Sequence, residues 1–473
     1  MVHSHGNEEP VEGSWQEKWG MKFKWTAQHL TPNQLKPLIY TYDTVATEAI
    51  ERLDEIAPPQ HAMSAEDRDT IKDAEPDDER PPRRDLYALL QEYASKDKKV
   101  GKLWTEVNTI PEWVEWEQIE RGQKVFFRYG GPAIITLTFL SLLGGMGSSR
   151  VVETLDRTGG FGAKVVRRRL LETTQHTLNV HRDLKSIQPG GDGFVDSVRV
   201  RLLHTNIRRR IMQMASHKPE YYNVAEYGVP INDLDCIGTI NTFSATIIWM
   251  GLPRQGIYMR EREILDYLAL WRYVAYLMGA PHDWLATPTS ARCMMQSLSF
   301  SEIRPSTASA TLANNIITGL KDQPPTYASR RFMSAQTYWL NGSDLSEGLD
   351  IERPGLYHSS LILGQCFFFM ATAYINRSIS FLDNRNINLS RKMLYNALLE
   401  DKARGALGYT TKFLFKYVPA FDKMSTERGV AAAGSGVWMP GVERTALLSL
   451  ITFPALVGVG TWYGCKILAR ALG

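Results

Sequence analysis

The chain has 473 residues, with 54 Lys and Arg against 51 Asp and Glu, a formal net charge of +3, 44% hydrophobic and 22% charged residues. This is the composition of a folded globular protein able to bury a sizeable core, which excludes a disordered chain, a collagen and a small disulfide scaffold. The near-neutral balance offers no basic field for nucleic acid. A mean hydropathy of −0.25 excludes a polytopic transporter but leaves room for one or two membrane spans.

The opening stretch MVHSHGNEEPVEG has no apolar core of the kind a cleaved signal peptide needs. Residues 1 to 35 are polar without sustained periodicity. Leu35, Leu38, Ile39, Tyr42 and Val45 then recur at helical spacing and predict a helix over 33–56. From Pro58 to Arg84 the composition turns to Asp, Glu, Arg and Pro, which cannot bury enough apolar surface to order itself and reads as a linker. Residues 1–85 are therefore expected to be a polar extension with an acidic linker, and 86–440 the folded body.

That body reads as helical. The segments 164–180, 194–214, 260–279 and 391–417 carry apolar residues at three- and four-residue spacing, while alternating patterns with Asn-Gly or Asp-Gly turns are almost absent. The expected fold is all-α. Cys236, Cys293, Cys366 and Cys465 lie far apart, with neither a CxxC pair nor CxxCH, so zinc ribbons, thioredoxin-type redox pairs and covalent haem attachment are excluded. Such sparse usage fits a reducing compartment. Asn341, Asn376 and Asn388 open N-x-S/T triplets, which without a signal peptide are expected to stay unmodified.

Three apolar runs require a choice between core and membrane. Gly130–Ser149 and Gly355–Asn376 read as core helices, the first because Gly and Pro crowd its ends, the second because it contains His358, Ser359, Ser360 and Gln365. Thr445–Cys465 is different: 21 residues without a charge, closed by Arg444 and Lys466, with Trp462 and Tyr463 at one end. At about 1.5 Å per residue it reaches roughly 30 Å, the thickness of a hydrocarbon core. A transmembrane anchor is expected over 445–468, with Pro454 tolerated there.

No P-loop, HExxH, GxSxG, Rossmann GxGxxG or paired Glu-x-x-His motif is present. The informative segment is 198–210, VRVRLLHTNIRRR. As a helix it places Val200, Leu203, His204, Ile207 and Ile211 on one apolar face, with Arg199, Arg201, Arg208, Arg209 and Arg210 over most of the remainder. His204 is either a core histidine bonded to a backbone carbonyl or an axial haem ligand. In the second reading flanking arginines such as Arg199 and Arg208 pair with the propionates. In 164–180, helical spacing puts Arg169, Glu172, Thr173 and His176 on one side, either a solvated ion-paired face or a set able to orient O₂ and move a proton.

In this order the two segments resemble the MpaB and rubber oxygenase (latex clearing protein) family. The likeness begins at RGQKVFFRYGGPAIITLTFL (121–140), runs through RRLLETTQ (168–175) and VRVRLLHTNIRR (198–209), and ends with GLPRQGIYMREREILDYLALWRYVAYLMGAP (251–281). The resemblance implies a globin-like helical core holding b-type haem, with His204 as proximal ligand to the iron and Arg169 and Thr173 on the distal helix. Glu172 stands where rubber oxygenases carry an iron-ligating Lys, a departure that gives a poorer ligand and a better proton acceptor. Rubber oxygenases also use a distal Glu on the preceding segment, for which Glu153 is a candidate, and the resemblance leaves open whether Glu153 or Glu172 is the acid/base. The implied reaction is O₂-dependent cleavage of a carbon–carbon double bond in an apolar isoprenoid or terpenoid, in secondary metabolism, at the endoplasmic reticulum membrane. The alternatives are haem chemistry of another kind, such as peroxidation or hydroxylation, and a non-catalytic tail-anchored lipid-binding or scaffold protein.

Overall fold

A computed structural model describes residues 9–59, 84–408, 425–430 and 441–472. Among them the architecture is all-α apart from one antiparallel hairpin, β1 (Trp15–Lys18) and β2 (Met21–Lys24). Trp19 and Gly20 link the strands with φ of 50° and 62°. Two consecutive left-handed residues give the turn whose twist matches a tight hairpin. The alternation in WQEKWGMKFKW is short and its turn is Trp-Gly rather than Asn-Gly, so the polar reading of residues 1–35 passed over it. Phe23 and Trp25 are buried.

The helix expected over 33–56 is broken. A capped turn at Pro32–Leu35 and a 3₁₀ turn at Lys36–Ile39, which contains Pro37, precede α1 (Thr44–Ile56). Asp43 restarts the helix by accepting from the Ala46 amide at 3.0 Å, the usual action of an N-cap carboxylate. α2 (Leu86–Tyr93) and α3 (Lys98–Asn108) are capped in the same way by Asp85 and Asp97. Within 9–59 the expected polar extension is part of the body: Leu35, Ile50 and Leu53 sit in the same hydrophobic core as Leu103, Phe127 and Trp271. The acidic linker falls mostly on 60–83, outside the described residues.

α4 (Trp116–Arg128) packs along α9, introduced below, at the centre of this core. Gly130–Gly147 follows as one apolar segment that passes from α-helix through a π stretch, Thr136–Leu143, to a 3₁₀ turn. More than half of it is buried, the core role its Gly-rich ends suggested. Next come α5 (Ser149–Thr158), α6 (Val166–His181) and α7 (Asp192–His217), then α8 (Asp233–Phe243) and α9 (Glu261–Leu277). α10 (Pro288–Glu302), α11 (Thr307–Leu320) and α12 (Arg330–Gly348) lead to α13 (Leu356–Ser378) and α14 (Ser380–Tyr395). A second core gathers Val152, Val166, Leu312, Phe332, Leu361 and Ala446. α6 bridges the two, with Val166 in one and Leu171 and Leu178 in the other.

Two expectations change at the C-terminal end. The helix read over 391–417 starts earlier, at Ser380, and stops at Tyr395. A π turn, Asn396–Glu400, and glycines of positive φ at 405 and 408 then redirect the chain, and residues 409–417 lie outside the described residues. The run expected as a transmembrane anchor forms a helix, α15 (Gly441–Leu472), with Pro454 inside it. Beyond Ala455 only the Trp462 side chain is among those described, and it is exposed. The described stretches long and apolar enough to cross a membrane are Gly130–Gly147 and Leu356–Ser378. Leu356–Ser378 is only one-third buried, so it is a core helix on one side alone.

Candidate functional site

α6 and α7 form an antiparallel pair joined through a short turn of helix at Leu184–Ile187. They cross at Gly193, where a Cβ would meet the Asn179 carbonyl oxygen at 2.7 Å. Only glycine lets the backbones come so close. Polar groups lock the crossing. Ser197 Oγ donates to the Gly193 carbonyl and accepts from His176 Nε2 at 3.0 Å, and Asn179 Nδ2 donates to Asp196 at 2.7 Å. Tyr395 on α14 donates to Asn179 Oδ1 at 3.1 Å. Burial raises the Asp196 carboxyl to about 7, against the Asn179 hydrogen bond that lowers it.

Followed away from this crossing, the pairing brings Arg169 across from His204. The imidazole is pushed down to about 4, first by burial and then by the charges of Arg208 and Arg169 and by His176. It is therefore neutral at physiological pH, with a lone pair free. Among the described residues His204 makes no hydrogen bond, so it is not the carbonyl-bonded core histidine of the alternative reading. His181 is of that kind: its Nδ1 donates to the Thr177 carbonyl at 2.7 Å, and its ring stacks on Phe126 at 4.3 Å.

The faces of α7 differ from the sequence-based expectation. Val200, Leu203, His204 and Ile207 are only half-buried, whereas Val198, Arg201, Leu202, Thr205 and Arg208 are buried. Arg201, 2% exposed, donates to Asp43 at 2.6 Å and to Glu106 at 2.7 Å. Arg201 and Arg208 thus lie on an internal polar face while Arg210 is exposed, and the stripe with His204, buried at Ile211, is partly open at its other positions.

The two arginines expected to meet propionates are engaged elsewhere. Arg199 donates to Asp85 at 2.7 Å and lies over the Tyr87 ring. Arg208 donates to the carbonyls of Ile231 and Asp43 and to the hydroxyls of Thr47 and Thr205.

On α6, Glu172 is buried and paired with Arg168 at 3.1 Å and with Arg169 at 3.8 Å. The Arg169 guanidinium runs alongside Gly160, in the loop after α5. Thr173 is exposed and donates to the Arg169 carbonyl at 3.0 Å. Glu153, on α5, accepts from Arg157 at 3.2 Å. Its carboxyl is raised by burial and by the negative charges of Asp156 and Glu226, against the pull of Arg157. Asp196 was missed in the sequence. The signal available was the polar pair Gln175 and Asn179, one turn apart on α6, facing an Asp one turn before Arg199.

Among the described residues no three His, Cys, Asp or Glu side chains gather to hold a bare metal ion. A single neutral imidazole on an apolar stripe instead suits a large apolar cofactor whose metal takes one protein ligand. The residues present fit such a group at His204.

The sequence model of the ER-bound oxygenase mpaB/B′ and rubber oxygenase catalytic domain matches residues 126–363, half of the chain. A solved latex clearing protein in its closed state matches the structure with a TM-score of 0.52 at 14% identity, over 80% of this chain and 95% of that one, a likeness of fold. No curated protein matches. The matched span contains both helices of the α6–α7 pair, and the chain belongs to the mpaB/B′ and rubber oxygenase catalytic-domain family.

Proposed function

We propose that this protein is an oxygenase that holds b-type haem through His204 and uses O₂ to cleave a carbon–carbon double bond of an apolar isoprenoid or terpenoid in secondary metabolism. The observation that carries the reading is the unbonded, neutral His204 imidazole on a half-covered apolar stripe, facing Arg169 across an antiparallel helix pair. Bound haem would supply the iron chemistry that activates O₂. Val200, Leu203 and Ile207 give the group an apolar bed, and covering each contributes about 1 kcal/mol or more.

Arg169 supplies a fixed cation opposite the imidazole, placed to stabilise developing negative charge. Glu172 holds that guanidinium, a positioning role its double ion pair suits better than proton transfer. Glu153 is the better acid/base, because burial raises its carboxyl above the ordinary carboxylate value and lets it hold a proton more readily than an ion-paired Glu172. Thr173 adds a hydroxyl one residue further along α6. α15 attaches the body to a membrane, the endoplasmic reticulum in keeping with the family's description, where apolar substrates partition.

The purified protein supplemented with haem is expected to show a Soret band, and His204→Ala to weaken haem binding by more than ~100-fold with the far-ultraviolet spectrum unchanged. A wild-type protein that stays colourless would sink the reading. Label from ¹⁸O₂ in two carbonyl fragments would mark cleavage, and its absence would favour another oxidative reaction.

A further inference from the structure

α13 and α15 pack on each other more extensively than any other described pair. Their direction can be read from three contacts. His358 lies by Glu443, Gly364 meets the Ala446 carbonyl and Leu450, and Phe367 stacks on Phe453 with centroids 4.7 Å apart. Residue numbers rise together, so the helices run parallel. Both helices carry long charge-free stretches, 355–376 and 445–465, and over the contacting part, 358–367 against 443–453, these run side by side. Cations close both ends: Arg353 and Arg444 at one, Arg377 and Lys466 at the other.

Among the described residues the outer surface of this pair is largely apolar and uncovered. On α15, Leu448 is 57% and Ile451 62% exposed. On α13, Leu363 on one flank and Ile375 on the other, the latter 60% exposed, continue the surface. Phe381 extends it onto α14, whose exposed side also carries Arg385 and Lys392.

Parallel direction sets the topology. The chain leaves α13 at its far end and must return to the near end to begin α15. If both helices crossed a bilayer, the chain between them would have to cross back, and its α14 portion carries Asp383, Arg385, Arg391 and Lys392, charges that hydrocarbon excludes. α14 instead packs on α4 in the body, with Asp383 bonded to Arg128 at 2.7 Å. Glu443 likewise accepts from the Ser329 amide at 2.9 Å and ties the start of α15 to the body.

We infer that α13 and α15 lie together in the plane of one membrane leaflet, a monotopic platform whose outer side chains enter the acyl region while the cations at its ends meet the headgroups. The occupant of the apolar face is a lipid surface, and the inference rests on the attachment through α15 proposed above.

The test uses the full chain in sealed phosphatidylcholine and phosphatidylserine vesicles. An environment-sensitive fluorescent amino acid replaces Leu363, Ile375 or Ile451, with Ile110 as a control distant from the pair. All three platform sites should shift to the blue and be quenched at least twofold more by shallow 5-doxyl than by deep 12-doxyl lipid, with Ile110 unchanged. A tag after Gly473 should stay open to external protease, on the same side as the N-terminus.

A protected tag with Ile451 quenched best by deep nitroxides would overturn the proposal in favour of a spanning α15. Blue shifts without lipid quenching at Leu363 and Ile375 would overturn it in favour of cover by protein, from elsewhere in the chain or from a second copy. Lack of quenching at Ile451 as well would defeat the attachment reading itself.

Discussion

Two buried histidines, the half-buried His204 and one buried aspartate set opposite pH dependences along the α6–α7 pair. His176 and His204 are lowered to about 4 and His181 to about 3, all chiefly by burial. Each binds fewer protons folded than unfolded between that value and about 6.5, so their contribution is lost as pH falls through this window. Asp196 has the reverse sign. Raised to about 7, it binds more protons folded than unfolded, and stability falls as pH rises from about 4 to 7. At pH 8 the ionised carboxylate costs roughly 4 kcal/mol as an upper figure. Asp196→Asn should therefore stabilise the protein at pH 8 by about 2–4 kcal/mol and do little at pH 4, read as the difference between variant and wild-type denaturant midpoints across that range. A constant difference would show that the site does not titrate in this window.

At the scale of the element, α7 works as a two-sided helix. One side is fixed by Arg201 between Asp43 and Glu106, and the other presents His204. Removing one partner of a buried pair leaves uncompensated charge, so Arg201→Ala should cost about 3–5 kcal/mol in equilibrium unfolding. Replacing Asp43 should cost as much, because it also caps α1. Helical spacing made the Val200–Leu203–His204–Ile207 stripe legible in the sequence. Which side of α7 faced inward was only partly legible, since apolar residues stand on both sides: Val198 and Leu202 are in the core while Val200, Leu203 and Ile207 stay half-open. The decisive partners, Asp43 and Glu106, lie 158 and 95 positions away. Spacing along one helix carries no information about such partners. Thr173 shows the same limit. Periodicity grouped it with Glu172, yet one is exposed and the other buried.

For the whole molecule, the all-α class and the helices of residues 164–180, 194–214 and 260–279 were legible because long apolar periods survive in any tertiary setting. The standing of residues 9–59 was not, because a polar composition with few large apolar residues conceals which of them dock. Leu35, Ile50 and Leu53 complete the main core, and Asp43 neutralises Arg201. Deleting residues 1–57 should therefore leave a body without a cooperative thermal transition, measured by calorimetry or circular dichroism. A sharp transition near the full-length midpoint would show instead that this segment is an appendage. α13 misled for a related reason: one face does belong to the core, through Leu361 and Cys366, while its flanks do not.

The division of labour on α7 has an evolutionary consequence. Fold stability resides in the Arg201 and Arg208 face, while the neighbours of His204 carry little of it. Val200 and Leu203, half-open and outside the packed cores, can change size with little disturbance to the scaffold, so a lineage can alter what the His204 side accepts through substitutions that are nearly neutral for folding. Such a chain can drift in preference while its architecture stays fixed, and similarity to relatives would then persist in shape long after it has faded in sequence.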